Sequence, residues 1–222
     1  MLVTHHVPES EEAESFRILR TNLFFRGVDA PLRTAAIVSS LPKEGKSFVA
    51  ANLAVAVAQS GKRVLLVDSD LRKPSLHKYF KTRQTHGLST LLVGMVPLSE
   101  AVLPTPVTNL FLLPAGPTPP NPAELLASEP MDALCAEVST RFDFVLFDTP
   151  PLLLVADGVI VSSRVDGAVL VVRGRHTRKE DAKKSVKLLE KSNVKILGCV
   201  FNGSTKENRH YDSGYYYSHI NT

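Results

Sequence analysis

"SSLPKEGKS", residues 39–47, ends in Gly-Lys-Ser and overlaps the end of a short β-branched run, "TAAIVSS" (34–40). After it comes "KSFVAANLAVAVAQSG" (46–61), which reads as a helix closed by Gly61. A strand, a loop of spacing x-x-x-x-x-G-K-[S/T] and a helix, in that order, are the context a phosphate-cradling loop requires. The backbone N–H groups of such a loop and the helix N-terminus behind it form an anion site. Here the loop is Ser40–Ser47. Lys46 is placed to reach β- and γ-phosphates, Ser47 to bind Mg²⁺ through its hydroxyl, and Lys43, Glu44, Gly45 and Phe48 to line a bound nucleotide. The first position is Ser40, where Gly or Ala is usual; the side chain stays small.

Working outward, further strand candidates are "RVLLVD" (63–68), "LFLLP" (110–114), "FDFVLFD" (142–148), "GAVLVV" (167–172) and "KILGCVF" (195–201). They are nearly continuously apolar, as strands buried on both faces should be. Helical patterns lie between them, including "NPAELLASEPMDALCAEVSTR" (121–141), which reads as one or two helices. The alternation predicts an α/β fold: a P-loop NTPase with a mostly parallel, doubly wound sheet and helices on both faces. The Pro-rich "PAGPTPPNP" (114–122) reads as an ordered loop. With no repeat and no boundary, residues 1–222 read as a single domain, loose only at about 1–9 and after Ser204.

The bulk properties agree. A chain of 222 residues with 44% hydrophobic and 22% charged residues is long enough for one sizeable core. No apolar run approaches the ~20 residues of a spanning helix, and no secretory h-region opens the chain. Cys135 and Cys199 stand far apart in apolar contexts and read as core thiols of a reducing cytoplasm. The seven histidines lack metal-ligand spacing. Charge is unevenly placed: residues 173–195 hold nine Lys/Arg against three Asp/Glu, a balance of +6, in a chain of +4 that leaves −2 elsewhere. That stretch is either a solvated helix face or a basic docking surface.

Two carboxylate motifs sharpen the phosphate reading. "VLLVDSDLR" (64–72) ends a strand with Asp68 and Asp70, followed by Arg72, and "FVLFDTPP" (144–151) ends another with Asp148. Ligands of open α/β sheets sit at the carboxyl ends of strands, so these acids converge on the loop after the first strand. A strand-end Asp often only caps a helix or forms a turn. Three facing a phosphate loop suit the handling of a metal and a proton. Asp148 fits a carboxylate that holds Mg²⁺ through water, with Asp68 a further metal candidate, and Asp68 or Asp70 can accept the proton of an attacking hydroxyl.

Together these residues resemble the bacterial tyrosine kinases of capsule and exopolysaccharide loci, over nearly the whole chain from about Glu9. The family's Walker A, its additional Asp-x-Asp-x-Arg motif and its Walker B ending in Asp-Thr-Pro-Pro match at 40–47, 68–72 and 148–151. "ESFRILRTN" (14–22) matches the family's Glu-x-x-Arg-x-x-Arg signature at Glu14, Arg17 and Arg20. On a helix these are successive neighbours, with Phe16, Leu19 and Leu23 as an adjoining apolar stripe. By itself this reads as a salt-bridged surface helix; the resemblance implies a contact, within about residues 9–27, that joins subunits into a ring. The C-terminal stretch "NRHYDSGYYYSHINT" carries Tyr211, Tyr215, Tyr216 and Tyr217, four of the chain's five tyrosines. Polar, Gly-containing and terminal, residues 205–222 read as a flexible tail, and the resemblance makes these tyrosines the phosphate acceptors on a neighbouring subunit.

The resemblance implies an ATP- and Mg²⁺-dependent protein-tyrosine autokinase with catalytic Lys46, Asp68 and Asp70. It further implies a ring when unphosphorylated and a role in regulating polysaccharide polymerisation and export. It implies cytoplasmic work at the inner face of the membrane, through a transmembrane co-polymerase or adaptor or a membrane segment outside this sequence. A tyrosine phosphatase would reset it, and no nucleic acid takes part. "VFNGS" (200–204) matches the place where related ATPases use an Asn near adenine, which makes Asn202 a base-contact candidate. The competing reading is an ATP-switched positioning ATPase of the MinD/ParA class, and a weaker third is a small-molecule ligase. MinD/ParA ATPases typically carry a second lysine at the second loop position, which here is Leu41.

Overall fold

The computed structural model describes residues 1–25 and 31–203. Strands β1 (Thr34–Ser39), β2 (Val64–Asp68), β3 (Leu103–Pro104), β4 (Leu110–Leu113), β5 (Phe144–Asp148), β6 (Ala168–Arg173) and β7 (Ile196–Asn202) form one sheet. Their order is β3-β4-β2-β5-β1-β6-β7. All pairings are parallel except that of the two-residue β3, which runs against β4. β5 stands at the centre with β2 and β1 on either side, and side chains of β1, β2, β4 and β5 alternate between two covered faces. Ile37 joins one buried cluster while its neighbours Ala36 and Val38 join the other.

Helices cover both faces, as the alternation predicts. One carries α1 (Val3–His6), α2 (Glu11–Phe25), α3 (Lys46–Ala58) and α4 (Leu76–Phe80). The other carries α5 (Leu88–Leu92), α6 (Leu98–Ala101), α7 (Pro122–Leu126), α8 (Glu129–Arg141), α9 (Asp157–Ser162) and α10 (Lys179–Lys191). Residues 121–141 are thus two helices, parted at Ala127 and Ser128. α3 is buried all the way from Val49 to Ala58, because the sheet lies on one side and α2 on the other. A helix apolar all round needs that double cover. Leu53 in its middle is fully buried, so Leu53→Ala would cost about 2–5 kcal/mol. The Phe16-Leu19-Leu23 stripe of α2 faces this packing, with Phe16 edge-on to Phe48 and Phe24 edge-on to Phe144.

Two expectations are corrected. The first residues are not loose: Leu2 is buried, and Thr4 donates from both N and Oγ1 to Asn52 Oδ1 at 3.1 and 3.2 Å, while Gln59 Nε2 donates to the Thr4 carbonyl. A polar Asn inside α3 is the partner that a pattern of apolar residues does not reveal. Cys199 is not a core thiol but exposed, whereas Cys135 is buried. β7 is an edge strand with an open face, on which Cys199 and Phe201 lie. An apolar run does not distinguish that position from a central one. Residues 204–222, including the tail tyrosines, lie outside the described residues, and among those described no helix is long and apolar enough to cross a membrane.

Candidate active site

β1 delivers the chain to the phosphate loop, and α3 begins at Lys46 directly behind it. Gly45 turns the loop into the helix with φ 94°, and a Cβ there would stand 2.0 Å from Asn202 Nδ2. Glycine is required twice over, for the left-handed backbone and for the approach of Asn202. Asn202 Nδ2 donates to the Glu44 carbonyl at 2.9 Å, so the predicted base-contact residue is bonded to the loop itself. Glu44 is fully buried; its carboxylate accepts from the Leu41 N–H at 3.0 Å and from the Thr177 hydroxyl. It braces the loop from inside rather than lining it with charge, as suits an acid beside an anion site. Lys43 is exposed, with φ 65°, and Phe48 spends its ring on Phe16.

The carboxylates meet where the register puts them. Asp68 and Asp148 are paired neighbours at the ends of β2 and β5, and Ile37 of β1 pairs with Asp148 on its other side. The Lys46 ammonium lies 3.2 Å from the Ser47 hydroxyl, 3.2 Å from Asp70 Oδ2 and 3.5 Å from Asp148 Oδ1. Burial opposes its charge, but Asp148, Asp70 and Asp68 outweigh burial and hold the ammonium above its ordinary pKa. Asp68 Oδ2 accepts from the N–H groups of Ser75 and Leu76 at 3.0 and 2.9 Å, closing the start of α4. Asp70 Oδ1 accepts from the Lys73 N–H at 2.9 Å.

Asp68 and Asp148 are fully buried, and Asp68 Oδ1 and Asp148 Oδ2 have no hydrogen-bond partner. Burial first and the Asp148 charge second push Asp68 up to about 7. Burial also raises Asp148, with Lys46 and Ser47 offsetting part of it. Buried anionic oxygens without donors are costly; a hydrated Mg²⁺ held by Ser47 and Asp148 would supply the positive charge and donors they lack. The residues present therefore fit Mg²⁺ held through water, as hard cations with few carboxylates prefer.

Several contacts escaped the sequence reading. Arg72 makes a bidentate pair with the fully buried Asp157 at 2.8 and 3.1 Å, tying the Asp-x-Asp-x-Arg segment to α9. Ser40 accepts from the buried Ser185 hydroxyl of α10 at 2.8 Å, which explains a hydroxyl at the first loop position. Arg173 and His176 bond the Lys43 and Pro42 carbonyls at 2.9 and 3.1 Å. No local signal marks these, because each partner lies more than eighty residues away. In the predicted subunit-joining helix, Arg17 pairs with Glu14 and also bonds the Pro8 carbonyl, while Arg20 donates to the Ala56 carbonyl of α3 at 3.1 Å.

A phosphate loop after the central strand, flanked by in-register strand-end aspartates of a doubly wound sheet, defines a P-loop NTPase. The family model described as "ParA: NUBPL iron-transfer P-loop NTPase" matches residues 33–217. The tyrosine-protein kinase YwqD of Bacillus subtilis (strain 168) is 44% identical over 209 residues, covering 94% of this chain and 88% of that protein. The crystal structure of the chimerical protein CapA2B2 has a TM-score of 0.90 at 38% identity, covering 92% of this chain and 90% of that one. The chain belongs to the bacterial tyrosine-protein kinases. The septum site-determining protein MinD of Pyrococcus horikoshii OT3, complexed with Mg-ADP, is more distant, with TM-score 0.67 and 26% identity over 78% of this chain and 72% of that one.

Proposed function

We propose that the protein binds Mg-ATP on Ser40–Ser47 and transfers the γ-phosphoryl group to Tyr211, Tyr215, Tyr216 or Tyr217 of a neighbouring subunit, within the control of polysaccharide polymerisation and export. The observation that carries this is the meeting of Lys46 with Ser47, Asp70 and Asp148 beside two buried carboxylate oxygens that lack partners. Lys46 would leave its carboxylates to reach the transferring phosphate. The tyrosine oxygen forms the new bond to phosphorus as the bond to the bridging oxygen breaks, releasing ADP. The phenolic proton passes to Asp68, whose affinity for it near pH 7 suits a base at neutral pH. Asp70, held by Lys46 and Lys73, is the second candidate base. Bound Mg²⁺ would neutralise charge developing on the phosphates, with Ser47 and Asp148 holding it. Catalysis is then mostly positioning and electrostatics.

In this reading α2 joins subunits into a ring, with Glu14, Arg17 and Arg20 at the contact and the tail of each subunit in the next site. Its partners would be a transmembrane adaptor of polysaccharide synthesis and a tyrosine phosphatase. The test is a phosphotyrosine blot of purified protein after incubation with Mg-ATP. No signal, from protein shown to bind ADP, overturns the kinase reading and leaves the positioning ATPase.

A further inference from the structure

All nine Lys/Arg of residues 173–195 are exposed. On α10, Lys179, Lys183, Lys187 and Lys191 recur at four-residue intervals and so stand in one row, with Lys184 beside it. Among the described residues α10 makes one ion pair, Lys184 with Asp181 at 3.5 Å, off the row. Like charges four residues apart destabilise a helix, so apart from Lys191, whose charge suits the helix C-terminus, the row gains little from the fold. The opposite face holds α10 down: Ser185 and Leu189 are buried, and Val186 and Leu188 pack against the core. What remains is a rigid face of lysines on a helix of 13 residues, roughly 20 Å long.

We propose that this row is a docking surface for an anionic lipid bilayer. Juxtamembrane clusters of basic residues are held by the surface potential of anionic headgroups. Residues 173–195 contain no Phe, Tyr or Trp on which bases could stack. The row itself is all lysine, mobile point charges suited to a fluid plane of phosphates rather than fixed forks that read base edges. Its apolar side is spent on the core, so attachment is electrostatic and peripheral. The same segment is bonded to the phosphate loop through Ser185–Ser40, Thr177–Glu44, His176–Pro42 and Arg173–Lys43. Docking would therefore hold the nucleotide edge of the sheet at a fixed attitude to the bilayer.

The test is co-sedimentation of the full chain with vesicles of phosphatidylglycerol and phosphatidylcholine, against vesicles of phosphatidylcholine alone. Binding is expected on the anionic vesicles only, weakening as salt is raised. Each basic residue near such a surface is worth about a fivefold change in affinity, so Lys183→Gln/Lys187→Gln/Lys191→Gln should lose on the order of 100-fold. Gln keeps helix propensity at these exposed positions, and an unchanged melting temperature checks the fold. The proposal is overturned if the wild type ignores anionic vesicles, binds neutral ones equally, or sediments no better than the variant. Tighter binding to duplex DNA at the same ionic strength would assign the row to nucleic acid. A lipid-free fall in the variant's mass by light scattering, without loss of vesicle binding, would assign it to a second copy. Either result also overturns the proposal, and none of these readouts depends on phosphotransfer.

Discussion

Replacing Asp68 with Asn should make the protein more stable and nearly inactive, and the two effects should carry different pH signatures. In the fold, burial and the Asp148 charge raise the Asp68 carboxyl from 3.8 to about 7. A raised acid contributes stability that is fully present below the ordinary carboxylate range and is lost as pH climbs through about 7. At about 1.4 kcal/mol per tenfold change in proton affinity, the ceiling on this loss is about 4 kcal/mol. The substitution leaves one oxygen for the Ser75 and Leu76 N–H groups and puts a neutral amide N–H₂ in place of the partnerless Oδ1. Some of the ceiling is forfeited where Asp68 no longer faces Lys46. A gain of about 1–3 kcal/mol at pH 8 remains, or roughly 2–12 °C for a chain of this size. Urea melts in EDTA at pH 4.5 and 8 should show the variant equal to the wild type at the lower pH and more stable at the higher. Phosphotransfer should fall about 100-fold or more. A variant less stable at both pH values, with activity falling only as the protein melts, would reduce Asp68 to the cap of α4 and refute the reasoning.

Lys46→Met should abolish autophosphorylation while ADP still binds weakly by fluorescent-nucleotide titration; labelling at the normal rate would move the phosphate site elsewhere. Ser185→Ala leaves the buried Ser40 hydroxyl without its donor, which should cost about 1–3 kcal/mol in a denaturant melt and weaken ADP binding several-fold. A Lys46→Met subunit with intact tyrosines should be labelled by an active subunit truncated after Gly203, and an unlabelled mixture would exclude transfer between chains. Light scattering should show a large oligomer before autophosphorylation and a monomer after it, and a monomer throughout for Arg17→Ala/Arg20→Ala; equal mass in every case would end the ring reading.

The sheet was legible because each of its long strands is a short, almost continuously apolar run, and because only a parallel order with helices on both faces buries such runs. The phosphate loop and the three acids were legible for a related reason: a strand that ends at the ligand edge places its last polar residue there, whatever the rest of the chain does. Reading by apolar runs failed at the borders. β7 is as apolar in sequence as its neighbours, yet it is an edge strand with Cys199 and Phe201 in the open. The first residues look like a loose end because Thr4 and Asn52, the pair that fastens them, are polar and forty-eight positions apart.

Ser40 shows why the remainder of the site could not be read locally. At the first loop position a small residue satisfies the backbone, so Gly, Ala and Ser are equivalent as far as the loop's own geometry is concerned. The hydroxyl becomes meaningful only because α10 brings Ser185 to within 2.8 Å of it inside the protein. A buried hydroxyl without a partner costs more than its hydrogen bond gains, so Ser40 and Ser185 are acceptable together and unfavourable singly. The same logic holds for Glu44 with Thr177 and for Arg72 with Asp157. Each is a long-range pair in which neither residue signals its role without the other. These contacts also explain how a loop built from Pro42, Lys43 and Glu44, poor in glycine, keeps its shape: the end of β6 with the segment after it, and Asn202 at the end of β7, hold it from outside. A catalytic site assembled this way inherits its precision from the packing of α9 and α10 against the sheet, rather than from the loop motif alone.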